Sequence, residues 1–134
     1  MEVRHRVDQT RRYAFGRGAD ERHAARTAEI LRGRGADEDL VLAGLLHDVA
    51  KPAETRLWHR IAAVLLEPLP ALHGRLARGE GVFARYLDHP RRGAEEARRR
   101  GASARVVALI ARHHERPRTD AERALHEADR EAVP

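Results

Sequence analysis

The segment DLVLAGLLHDVAK, residues 39–51, constrains this chain more than any other stretch. Leu40, Val41, Leu45, Leu46 and Val49 form a wide apolar stripe of the kind a buried helix carries. The run ends in His47 and Asp48 side by side. An imidazole nitrogen and a carboxylate oxygen suit the same intermediate divalent cations. Among leucines such a pair is costly without a charge partner, so the remaining sequence has to say whether that partner is a metal.

The other segments also read as helices. Two similar stretches, RGADER from Arg17 and RGADED from Arg34, each place an aspartate where a helix N-cap belongs. The pattern predicts helices over about Asp20–Arg32, stopped near Gly33 and Gly35, and Asp37–Lys51, closed by Pro52. A third helix is expected over Glu54–Leu66, then a short helical or irregular stretch to about Arg78, then Gly81–Leu87. Pro90 reads as the first position of a helix reaching Gly101, with His89 at or near its N-cap. Ser103 caps a helix containing Val106, Val107, Leu109 and Ile110, and TDAE from Thr119 has capping-box spacing for a last helix through Asp129. No β-alternating strand of useful length occurs.

At 134 residues the chain is expected to form one domain. It has no cysteine, which excludes disulfides, thiolate metal sites and a cysteine nucleophile. Strictly apolar runs such as Ile61–Leu66 are far short of the ~20 residues of a membrane helix. No apolar signal core follows the start, so the expected location is the cytoplasm, with no membrane partner. The net charge of +5 fits an anionic partner. Its basic residues, however, are 25 arginines and one lysine, a pattern that compositional bias writes on any surface. With only five aromatic residues, the chain is poorly suited to stacking along a nucleic acid. The lone lysine, Lys51, follows His47 by four residues and Asp48 by three, one face of a helix. Lysine meets phosphate as a compact point charge.

Nine histidines are distributed along these helices. His23 lies in the first, His47 with Asp48 ends the second, His89 begins a later one, and His113 with His114 ends VVALIARHH. Asp129 lies on the last helix. Helix ends that converge in a bundle can bring such residues into one pocket. Lone histidines usually belong to a surface or a satisfied core, so His5, His59, His73 and His126 are left outside the site. Trp58 is read as a core residue.

This ordered set resembles the HD-domain superfamily of metal-dependent phosphohydrolases. The resemblance covers roughly Asp20–Asp129, with residues 1–19 as an N-terminal segment, and includes a glycine four residues after His89. It implies an all-α helical bundle of about six to seven helices with a metal site between helix ends. Carried over, it implies one divalent transition metal held by His23, His47, Asp48 and Asp129. A second would be held by His89 and His113 with Asp48 as bridge, and His114 would be a further ligand, a substrate contact or a support. The donor set admits iron, manganese, cobalt, nickel or zinc. Asp48 and Lys51 would serve catalysis, Lys51 meeting the substrate phosphate, with Arg56, Arg60, Arg91 and Arg116 as further candidate donors. Two close cations lower the pKa of a water and clamp phosphoryl oxygens.

The activity so implied is hydrolysis of a nucleotide or other small phosphoester. The chain lacks the GYP signature and long extension of the cyclic-di-GMP phosphodiesterases of this superfamily. Where the diadenosine tetraphosphate hydrolases typically carry Thr-Gly, it has Glu115–Arg116. Five residues follow Asp129, where many relatives add a helix that walls the pocket, so an open pocket or completion by a second subunit is expected. Two other readings stay open at this stage: a di-iron oxygenase on the same fold, and a nucleotide-binding regulatory module without activity.

Overall fold

The computed structural model describes residues 19–132, so the N-terminal segment and His5 lie outside the described residues. Within them are eight helices and no strand: α1 (Ala19–Gly33), α2 (Glu38–Leu46), α3 (Leu57–Leu66), α4 (Pro70–Leu76), α5 (Val82–Leu87), α6 (His89–Arg99), α7 (Ala104–Ala111) and α8 (Asp120–Glu131). The all-α expectation holds. The count is one above the expected range because the stretch before Arg78 contains a genuine helix, α4.

Three helix starts follow their capping chemistry. Asp37 accepts the Leu40 N–H at 3.0 Å, Ser103 the Val106 N–H at 3.2 Å and Thr119 the Glu122 N–H at 3.1 Å. The reciprocal half of the expected capping box is displaced, since Glu122 takes the N–H of Arg118. Asp20 is not the N-cap of α1, because that helix already begins at Ala19. Gly35 supplies the left-handed turn (φ 77°) after α1, and the Ala36 N–H returns to the Leu31 carbonyl.

The second helix stops at Leu46, not at Lys51. The backbone N–H of Val49 bonds to Leu46 and that of Lys51 to Asp48, so tight turns replace the expected last helical turn. His47 and Asp48 thus stand just beyond the helix end. Likewise α3 starts at Leu57, after an irregular stretch that includes Glu54.

The core gathers Leu31 of α1, Leu40, Val41 and Leu46 of α2, Val106, Leu109 and Ile110 of α7, and Leu125 of α8. Helix α2 packs against α1, α7 and α8, and α6 packs along α7. At the α1–α2 crossing, a Cβ on Gly44 would lie 2.6 Å from Leu31 Cδ1, so glycine sets the distance between the two helices. Helices α3, α4 and α5 pack mainly on one another and join the body through α5 against α6. Trp58 is not a core residue. It is 56% exposed and stacks on His59, with ring centroids 3.8 Å apart.

Candidate metal centre

Helix ends create the site. The last carbonyls of a helix lack a partner within it, and three histidines take one each. The Nδ1–H of His47 donates to the Gly44 carbonyl after α2, that of His89 to Tyr86 after α5, and that of His113 to Ile110 after α7, each at 2.6 Å. Each donor sits three residues beyond its acceptor. These bonds orient the rings and leave Nε2 pointing inward, the arrangement by which metal-binding histidines are held. His23 lies on α1, where the buried Thr27 hydroxyl donates to its carbonyl. Asp129 comes from α8.

Two groups of donors result, with the ligand atoms of each within 4.8 Å of one another: His23, His47, Asp48 and Asp129, and Asp48, His89, His113 and His114. Asp48 belongs to both. Its Oδ2 lies 3.3 Å from His47 Nε2 and 3.9 Å from His23 Nε2. Its Oδ1 lies 3.0 Å from His89 Nε2 and 3.4 Å from His113 Nε2. Asp129 Oδ1 lies 2.7 Å from His23 Nε2 and 2.9 Å from His47 Nε2. The structure therefore gathers His23, His47, Asp48, His89, His113, His114 and Asp129, all of the ligands expected from the sequence.

The electrostatics are those of donors needing positive charge between them. Burial lowers the pKa of His47, but the neighbouring Asp48 and Asp129 outweigh it and raise the value to about 10. The hydrogen bond to Asp129 raises His23 against the effect of burial. Burial would raise both aspartates, yet the facing histidines hold Asp48 and Asp129 well below the usual carboxylate range. His113 is lowered, chiefly by burial. His114 falls to about 3 through burial and the charges of His113 and His89. Part of residue 114 is exposed, but its ring packs edge-on against His89 and His113, centroids 4.5 and 4.4 Å away.

These donors fit a metal. In His23, His47 and His89 both ring nitrogens lie within hydrogen-bond distance of oxygens, which a neutral imidazole with one N–H cannot satisfy. In His113 burial favours the neutral ring, and its Nε2 is buried with no hydrogen-bond partner although it faces Asp48. Protonating all four rings would place four positive charges against two carboxylates. Divalent cations between the Nε2 atoms and the carboxylates would satisfy every ring with its Nδ1–H left in place. Nitrogen and oxygen donors without thiolate suit iron, manganese, cobalt, nickel or zinc.

Lys51 is half-buried on the turn after Asp48. Its relation to the doublet comes from that turn, not from a shared helix face as its spacing suggested. Arg91 is committed to Asp88 at 2.9 Å, and Arg116 is exposed. Arg60, on α3, lies close enough to Tyr86 to oppose the upward pKa shift that burial imposes on its phenol. Tyr86 was not singled out from the sequence. Its ring centroid is 5.3 Å from that of His89 and 6.5 Å from that of His114, and its carbonyl holds His89. The available signal was its place three residues before a candidate ligand. His59 is buried and accepts the Arg56 N–H, and it belongs to neither donor group, nor do His73 and His126.

An all-helical protein with a histidine–carboxylate centre at its helix ends is the class defined so far. The family model of the HD domain matches residues 21–133, nearly the whole chain. The chain belongs to the HD-domain family, whose members are typically metal-dependent hydrolases. No curated protein and no solved structure matches it.

Proposed function

We propose that this protein is a metal-dependent phosphoric ester hydrolase acting on a nucleotide or another small phosphoester in the cytoplasm. The observation that carries the proposal is the shared Asp48, whose two oxygens face two separate histidine groups. Two cations held by these groups would supply an activated water and a clamp for phosphoryl oxygens.

The chain's own residues supply position and charge. His47, His89 and His113 are oriented by main-chain carbonyls, so the donors are preorganised. Asp48 fixes the two groups relative to each other. Lys51 and Arg60 are the candidate donors to a phosphoryl oxygen, where positive charge stabilises the charge that develops during transfer. The Tyr86 phenol borders the second group and is available to orient the ester.

Metal analysis coupled to a screen of nucleotides and general phosphoesters tests this reading. Purified protein is expected to carry close to two transition-metal ions per chain, and Asp48→Ala to lose metal and at least ~10³-fold in turnover together. Metal-free wild type, or turnover indifferent to Asp48→Ala, would refute it. Iron-specific oxygen consumption with no phosphoester cleavage would instead assign oxidative chemistry to the same donors.

A further inference from the structure

Helix α3 is turned the wrong way round for a monomer. Its body-facing side carries His59, Ala62, Ala63 and Leu66, of which only His59 is fully buried. Its bulky apolar side chains, Leu57, Trp58, Ile61, Val64 and Leu65, face outward, with Leu57 72% and Leu65 69% exposed. The spacing of Leu57, Ile61, Val64 and Leu65 is that of one helix face. Leu69, Leu72 and Leu76 continue the three-to-four-residue spacing through α4 and are also exposed.

These eight residues leave on the order of 800 Å² of apolar surface open, more than the ~300–600 Å² of the largest patch on a typical monomer. It equals the ~800 Å² that each partner contributes to a standard interface. The flanking charges are arginines, Arg75 and Arg78 at the end of α4 among them, and one carboxylate. Arg56 and Arg60 lie at the N-terminal half of α3 and Glu67 follows its end. With two α3 helices antiparallel about a two-fold axis between Ala63 and Val64, each Arg60 comes opposite the other copy's Glu67.

We infer that the outward face of α3 and α4 is the surface through which two copies of this chain form an isologous dimer. The pairing is self-complementary in apolar surface and in charge, as two-fold symmetry requires. Because Arg60 of α3 lies near Tyr86 of α5, the second copy would stand beside the metal centre.

Sedimentation equilibrium of the full chain at tens of micromolar tests the inference. The wild type is expected at about twice its 15.1 kDa chain mass. V64E and L65E should each weaken association at least 100-fold while circular dichroism and metal content stay unchanged, since both positions are exposed. R60E alone should weaken it about tenfold, and R60E/E67R should restore it. A monomeric wild type, or a dimer indifferent to V64E and L65E, would overturn the inference. So would a monomer that co-sediments with anionic phosphatidylserine vesicles, which would assign the face to lipid.

Discussion

Helices α2 and α3 are both rich in aliphatic residues, and they have opposite fates. In α2, Leu40, Val41 and Leu46 are buried among α1, α7 and α8, with Leu46 only 1% exposed. In α3, the face carrying Ile61, Val64 and Leu65 looks away from the body. Apolar content decides that a helix must be covered, but not by what. The body covers α2 with its own chain, whereas the α3–α4 arm leaves its apolar face outward.

That contrast can be broken by measurement. Leu46→Ala should destabilise the protein by about 2–5 kcal/mol in urea unfolding, because it opens a cavity in the body. Leu65→Ala, measured at nanomolar protein where the chain is monomeric, should cost less than ~0.5 kcal/mol. Equal losses would mean that the arm is as tightly packed as the body.

Charge separates the two regions next. His47, buried in the body, has its pKa raised to about 10 against 6.5 in an unfolded chain. A raised histidine stabilises the fold fully below 6.5, and that contribution is lost as pH rises towards 10. Metal-free protein should therefore lose stability across this window. Metal-loaded protein should lose far less, since its rings hold metal in place of the second proton. Parallel urea curves for the two forms between pH 6.5 and 10 are the check, and identical slopes would contradict the donor assignment.

Smaller effects map the packing of α2 itself. Gly44→Ala should cost about 1–3 kcal/mol, because the new methyl group meets Leu31 at the α1–α2 crossing. Asp37→Ala should cost ~1 kcal/mol through loss of the helix cap to Leu40. Either substitution leaving the thermal midpoint unchanged would place the strain elsewhere than at this helix.

Local chemistry was legible in the sequence. Asp37, Ser103 and Thr119 announced their helices because capping acts over three residues. The convergence of the seven candidate donors was legible through their order along the chain. The end of α2 was misread because Pro52 is an obvious stop, whereas the helix ends at Leu46, five residues before Lys51, where the His47 ring takes a carbonyl. Trp58 was misread because its destination depends on packing between helices. Asp129 meets His23 and His47 across 106 and 82 residues, so no local pattern could show that contact. Tyr86 became visible only through the rings it touches.

The three imidazoles fastened to the carbonyls of Gly44, Tyr86 and Ile110 make the centre sensitive to the ends of its own helices. Fraying of a terminal turn frees a ring to rotate out of place, and in α2 and α7 it also loosens the buried Leu46 and Ile110. On warming, metal should therefore dissociate as these helix ends open. The release temperature would then act as a thermometer for the helix ends.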